Sequence, residues 1–322
     1  MPHVEHKHLV AFAKDKVNLT KDEVDDQRAQ VNRLRERIEA KIKADPNYGL
    51  IKCLHAGSVA KGTALRNVND RDLAVYVRAE CAPSEVSGLV GWLRDRVVDA
   101  YPNLPDDQIV ANARCVTVTF AGSGLTVDLV PVLWEGEAND VGYLIDKDTG
   151  DRIKTSVRLH LDFIRGRKTL HPVHLAQLIR FAKWWVRQEK RRNGDFKCKS
   201  FMVELIWVHL ADAGVALDDY PTALEEFFGY ICKSGVSEQI AFTDFNRASS
   251  IPRRGGAAIE VLDPVNFENN IAWRYDETDR LLVVQAAQKA YDAITTARFV
   301  PTKTEAVECW QDVLGVSFKR AA

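Results

Sequence analysis

The chain has no apolar run approaching the ~20 residues that cross a bilayer, and this reading excludes an integral membrane protein. Its first 20 residues mix Lys, Asp and His around one short apolar run at 9–13, which makes no signal peptide. It also lacks an excess of either charge. The 44 Lys and Arg face 45 Asp and Glu, a net charge of -1, which argues against a strongly basic nucleic-acid binder while leaving room for a local patch. Its six cysteines, Cys53, Cys81, Cys115, Cys198, Cys232 and Cys309, are scattered. None forms a C-x-x-C pair or joins a Cys/His cluster with zinc spacing, so reduced, mostly buried thiols in a cytoplasmic protein are expected. His3, His6 and His8 read as a surface tail rather than a metal site. There is no internal repeat, low-complexity tract or long linker. At 322 residues the chain is long for one domain and suits two packed lobes.

Thr20 followed by Glu23 is a capping box, and Val31, Leu34, Ile38 and Ile42 then recur at helical spacing until Pro46 and Asn47. This long amphipathic helix is expected to brace both lobes. A strand at 50–55 leads into Gly57-Ser58 and a short helical segment ending near Arg66. In the strand 72–77, Leu73, Val75 and Val77 share one face while Asp72, Ala74 and Tyr76 share the other. A helix is predicted over 84–100. Val116, Val118 and Phe120, then Leu125, Val127 and Leu129, alternate on either side of Gly122-Ser123-Gly124, a β-hairpin pattern. Beyond Pro131 the pattern turns helical, with helices predicted over 172–192, 200–213, 221–232, 279–297 and 304–314. A mixed α/β lobe over 1–155, N-terminal helix included, and a helical lobe over 156–322 follow, an α+β fold.

The chemistry concentrates in Gly57-Ser58-Val59-Ala60-Lys61-Gly62-Thr63-Ala64-Leu65-Arg66 and the following Asn69-Asp70-Arg71-Asp72-Leu73. Gly57 lets backbone approach a ligand closely. Ser58 offers a hydroxyl at a short helix start, where free N–H groups favour phosphate. Asp70 and Asp72, two apart at a strand start, point the same way. With a third carboxylate from a neighbouring strand they can hold two divalent ions about 3.5–4 Å apart. Asp128, in Thr126-Val127-Asp128-Leu129-Val130, is that third candidate. An Asp among strand-forming apolar residues is disfavoured unless something such as a metal offsets its burial. Taken singly, Gly-Ser is a turn, Asp-x-Asp a solvated strand end, and Asp128 a salt-bridge partner. The order and placement of all three are far more specific.

These motifs resemble the nucleotidyltransferase superfamily of DNA polymerase beta. Within it the chain is similar to the cGAS/DncV-like nucleotidyltransferases of bacterial CBASS anti-phage systems, closest to the HORMA-associated clade C, and to the oligoadenylate synthases. Leu178-Ile179-Arg180-Phe181-Ala182-Lys183-Trp184-Trp185 resembles the family helix that supplies a phosphate-binding lysine. Lys199-Ser200-Phe201-Met202-Val203-Glu204-Leu205-Ile206 resembles the next helix start, where a serine touches triphosphate and an aromatic stacks on a base. Leu262-Asp263-Pro264-Val265-Asn266-Phe267-Glu268-Asn269-Asn270 resembles a segment of oligoadenylate synthases. The zinc insert of the animal DNA sensors is missing, so no zinc is implied.

The resemblance implies a polymerase-beta-like lobe packed on a helical lobe. It implies Asp70, Asp72 and Asp128 as catalytic metal ligands for two Mg2+ ions, with Mn2+ able to substitute. Gly57, Ser58, Lys61, Lys183, Lys199, Ser200 and Phe201 become nucleotide-binding residues. Read physically, Lys183 is either a lysine snorkelling from an apolar helix or a cation aimed at triphosphate in the cleft between lobes. Phe201 is either core or base platform. Lys190, Arg191, Arg192, Lys197 and Lys199 are either a solvated helix end or a nucleic-acid contact. The implied activity is synthesis of a cyclic oligonucleotide second messenger, cyclic triadenylate from ATP, with release of pyrophosphate. Implied partners are ATP and other nucleoside triphosphates, a HORMA-domain activator, and a weak contact with double-stranded DNA. Asp263, Asn269 and Asn270 are candidate adenine readers through the resemblance alone. The alternatives are a linear oligoadenylate synthase or RNA nucleotidyltransferase, and an inactive scaffold of the same fold.

Overall fold

A computed structural model describes residues 2–45, 48–66, 70–79 and 86–319. Pro46, Asn47, Asn69, Cys81, Ser84 and Glu85, which carried parts of the predictions above, lie outside them. The chain divides into two compact units, one of Leu19–Asp162 and the other of Met1–Asn18 with Phe163–Ala322. This differs from a cut after residue 155, and it assigns the first 18 residues to the helical unit.

The chain opens with α1 (His6–Phe12) and α2 (Lys21–Lys43), of which only α2 belongs to the Leu19–Asp162 unit. Thr20 and Glu23 form the expected reciprocal cap of α2, and its buried residues are Val31, Leu34, Ile38 and Ile42. Next come β1 (Tyr48–Ala56), α3 (Gly57–Lys61), β2 (Asp70–Ala79) and α4 (Leu89–Ala100). The strands β3 (Ile109–Ala111), β4 (Val116–Phe120), β5 (Leu125–Leu133), β6 (Gly142–Ile145) and β7 (Arg152–Thr155) complete it. They form one seven-stranded sheet ordered β1-β2-β5-β4-β3, with β6 joining β5 to β7. The β2–β5 pair is parallel and the others are antiparallel, and β4–β5 is the expected hairpin with Phe120 opposite Leu125.

The alternation of apolar residues decides which sheet face is covered. Leu73, Val75, Val77, Val116, Val118, Val127 and Leu129 pack with the apolar stripes of α2 and α4 in one core. The other face carries Ala74, Tyr76 and Val132, with Leu54, Trp134 and Val157 around them. Asp72 and Asp128 share the parity of that second face and so escape the main core.

The helical unit holds α1, part of α5 (Val157–Leu170), α6 (His174–Arg192), α7 (Ser200–Asp212), α8 (Tyr220–Ser234), α9 (Glu277–Ala297) and α10 (Lys303–Leu314). A two-residue parallel pair, β8 (Gln239–Ile240) and β9 (Glu260–Val261), interrupts the expected all-helical pattern. Trp207 stacks on Phe227 at 4.7 Å between ring centroids, and Trp185 meets Phe228 edge-on at 5.0 Å. Such pairs add to the area they bury. The surface tail expected around His3, His6 and His8 is corrected here. Leu9 and Phe12 are buried, Phe12 meets Trp184 and Phe318 edge-on at 5.7 and 5.2 Å, and His8 is 5% exposed. Burial of these apolar side chains holds the segment down, and His8 Nδ1 accepts the Glu5 N–H at 2.9 Å.

Candidate active site

Parallel pairing of β2 with β5 sets Asp70 opposite Thr126 and Asp72 opposite Asp128. Because side chains of paired residues lie on the same side, all three carboxylates share one sheet face, as the spacing predicted. Asp70 is exposed at the strand start, whereas Asp72 and Asp128 are half-buried. Burial raises the pKa of Asp72 above the ordinary carboxylate value, and the neighbouring Asp128 charge raises it further. Lys61 and Arg71 oppose that rise while Asp70 adds to it. A pair of like charges held side by side is the local condition that a divalent cation relieves. Among the described residues, no three His, Cys, Asp or Glu side chains are already gathered as a metal cage. The three carboxylates are nonetheless hard oxygen donors of the type that Mg2+ and Mn2+ prefer, on one face and at adjacent register positions.

Gly57 is demanded by Asp72. Antiparallel pairing sets Ala56 opposite Asp72, and the chain then turns into α3 with Gly57 at φ +64°. A Cβ at Gly57 would fall 1.7 Å from Asp72 Oδ2. The close approach that the glycine permits is therefore to the Asp72 carboxylate. Gly57→Ala should displace Asp72 and cut product formation by about 100-fold or more, as displacements near 1 Å do at reacting centres. Turnover like that of the wild type in a folded Gly57→Ala preparation would contradict this role. Ser58 and Lys61 lie on α3, which ends at Gly62 with φ +71°, where Thr63 N–H bonds Ser58 O at 2.8 Å. The structure thus brings Gly57, Ser58, Lys61, Asp70, Asp72 and Asp128 into one unit.

One site residue escaped the sequence reading. Thr117, opposite Asp128 in the β4–β5 register, donates its hydroxyl to Asp128 Oδ1 at 2.5 Å. In sequence it is one more threonine in an alternating strand, with nothing to separate it from Thr119.

The remaining predicted residues belong to the helical unit. Lys183 is 6% exposed, and its Nζ donates to Glu204 Oε2 of α7 at 3.1 Å, with Glu204 1% exposed. It does not snorkel to solvent. Burial lowers the pKa of Lys168, and Arg180 and Arg165 lower it further, with Glu204 opposing them. Lys168 thus feels Arg165, Arg180 and Glu204, and Glu204 is the carboxylate that Lys183 pairs with. Arg180, three residues before Lys183 on α6, is the other cation that spacing could have identified. Lys199 is the N-cap of α7 and donates to the Ile271 carbonyl at 2.7 Å. Ser200 is exposed at the first position of that helix, and Phe201 beside it is half-buried.

Two predicted features turn out to be occupied within the fold. Arg192 bonds the Gln311 carbonyl at 3.0 Å and Lys197 pairs with Asp279 at 3.1 Å, so part of the basic run ties helices together. Asp263 Oδ1 accepts Val265 N–H at 2.9 Å, and Asn270 Oδ1 accepts Val261 and Ala272 N–H at 3.1 and 3.0 Å. Asn270 Nδ2 also donates to the Ile259 carbonyl at 2.9 Å. Asn269 Nδ2 also donates to Asp263 Oδ2 at 3.2 Å, so the three side chains hold their own turn together.

No protein-family model matches the chain. It is 44% identical over 317 residues, 98% of each chain, to a cyclic AMP-AMP-AMP synthase of Escherichia coli strain MS 115-1. It is 30% identical over 308 residues, 94% of each chain, to the CBASS oligonucleotide cyclase CdnC of Escherichia coli strain KTE188. The solved structure of E. coli MS115-1 CdnC with ATP matches with a TM-score of 0.89, covering 98% of this chain and 99% of that one at 44% identity. That protein in a complex with HORMA-deltaN matches with a TM-score of 0.88 at 43% identity, again over 98% and 99%.

The fold is that of a polymerase-beta-like nucleotidyltransferase. Within that class the chain belongs to the CdnC family of CBASS oligonucleotide cyclases, enzymes of anti-phage defence.

Proposed function

We propose that the chain joins three adenylates from ATP into cyclic AMP-AMP-AMP, with release of pyrophosphate. The observation that carries this is 44% identity across 98% of the chain to a synthase of that product, supported by the Asp72–Asp128 register. The cofactor we infer is a pair of Mg2+ ions, replaceable by Mn2+. Asp70, Asp72 and Asp128 would hold them, and when bound they supply activation of the acceptor ribose hydroxyl and charge neutralisation at the triphosphate. The acceptor hydroxyl attacks the donor α-phosphorus, and pyrophosphate leaves. Repeating the step and closing the ring gives the product. Gly57 leaves room for the Asp72 carboxylate, and Ser58 and Lys61 contact donor phosphate. Lys183 and Lys199 contribute positive charge, Ser200 presents a hydroxyl and free N–H groups at the start of α7, and Phe201 stacks on a base.

The activator in this reading is a HORMA-domain protein, supported by the complex of the E. coli relative. Contact with double-stranded DNA is weak and sensitive to salt, in keeping with a net charge of -1. The working compartment is the cytoplasm; among the described residues no helix is long and apolar enough to cross a membrane.

The test is incubation of the full chain with each labelled nucleoside triphosphate and Mg2+, with and without a HORMA-domain partner and a DNA duplex, followed by mass spectrometry. Phosphatase-resistant material with the mass of three linked adenylates is expected. A linear product with a free 5′-triphosphate would replace the cyclase reading with that of a linear synthase. No product under any combination would leave a scaffold.

A further inference from the structure

We propose that Thr117, backed by Asn112, is a positioning residue that fixes the Asp128 carboxylate for metal binding; this rests on the reading of Asp128 as a metal ligand. Thr117 Oγ1 lies 2.5 Å from Asp128 Oδ1 and 2.8 Å from Asn112 Nδ2. Asn112 Nδ2 can only donate, so it fills a lone pair of the threonine oxygen and leaves the hydroxyl proton to Asp128. A hydroxyl directed at an ionised carboxylate forms a short, charge-assisted bond. That bond occupies Oδ1 and sets the rotation of the carboxylate about Cβ–Cγ, so Oδ2 is presented in one orientation.

The relay is itself held. Asn112 N–H bonds the Cys115 carbonyl at 2.8 Å and closes the β3–β4 turn. The Ala113 carbonyl in that turn accepts Lys147 N–H at 2.8 Å, and Arg114 pairs with the buried Asp146 at 3.2 Å. Asp146 Oδ1 in turn accepts the Asp148 and Thr149 N–H groups at 3.1 and 3.3 Å. Asn112 therefore starts from a fixed turn, and Thr117 sits on a strand paired on both sides, with Val110 and with Asp128. A partner that orients a ligand must be rigid for the orientation to reach the metal.

The experiment measures Mn2+ affinity of the full chain by electron paramagnetic resonance, alongside product formation and melting temperature. Thr117→Val keeps the branched shape and strand preference but removes the hydroxyl. It should weaken Mn2+ binding by about 10- to 100-fold, the range seen when such outer partners are removed. Thr117→Ser, which restores the hydroxyl, should return affinity close to wild type. Asn112→Ala, an exposed turn position, should weaken binding in the same direction and covers the case in which Thr117→Val misfolds. Asp128→Asn is the control. If it abolishes Mn2+ binding while Thr117→Val and Asn112→Ala bind as wild type does, the relay is overturned and the metal reading stands. If Asp128→Asn binds Mn2+ unchanged, both fall.

Discussion

Asp72→Asn should abolish product formation and, without divalent metal, raise the melting temperature of the chain. The two effects share a cause. Burial lifts the pKa of Asp72, and Asp128 lifts it further, so the folded chain binds the Asp72 proton more tightly than the unfolded chain does. The sign follows from linkage: metal-free stability falls as pH rises from the unfolded carboxylate value through the raised folded one. At neutral pH the ionised side chain therefore costs stability, and an amide of the same shape relieves it. In the proposed function the same substitution removes a charged metal ligand. A loss of about 4 kcal/mol of transition-state stabilisation corresponds to roughly 1000-fold in rate. Asp128→Asn should be comparably inactive. Calorimetry with and without Mg2+, paired with product analysis, checks both effects. Mg2+ should stabilise the native chain more than the Asp72→Asn variant. Full activity of a folded Asp72→Asn chain, or a lower melting temperature without metal, would overturn the assignment. Sites tuned for chemistry commonly lose stability in this way.

How far the sequence announced this site depended on the range of each interaction. The α2 stripe was legible because one helix face repeats within a few residues, and Val31, Leu34, Ile38 and Ile42 are its buried residues. The Asp72–Asp128 pairing was legible because Asp72 follows Asp70 by two at a strand start and Asp128 stands among apolar strand residues. Thr117 was not, since its role comes from cross-strand register with a residue 11 positions away. The strands β6 and β7, four residues each, are too short to carry a pattern. The N-terminal segment was misread because its own composition is polar, whereas Leu9 and Phe12 find their partners in Trp184 and Phe318 far along the chain. Asp263, Asn269 and Asn270 were candidate adenine readers through resemblance alone; the bonds from Val265 N–H to Asp263 and from Val261 N–H to Asn270 come from turn geometry that no sequence pattern announces.

Lys183 needs an experiment that separates its two roles. Lys183→Met removes the 3.1 Å ion pair to Glu204, which is 1% exposed. Breaking a buried pair from one side costs about 3–5 kcal/mol. At about 2–4 °C per kcal/mol for a unit of this size, the melting temperature should fall by roughly 6–20 °C. Loss of activity in that variant alone would therefore say little about phosphate. The double variant Lys183→Met with Glu204→Leu replaces the pair by apolar side chains of similar volume, which is often neutral or stabilising. It should recover most of the lost stability. If Lys183 contributes charge to the donor triphosphate, the double variant will still show a KM for ATP raised about tenfold or more, since a charge-assisted bond to phosphate contributes well above 1 kcal/mol. A double variant with native stability and an unchanged KM for ATP would make Lys183 a structural partner of Glu204 alone.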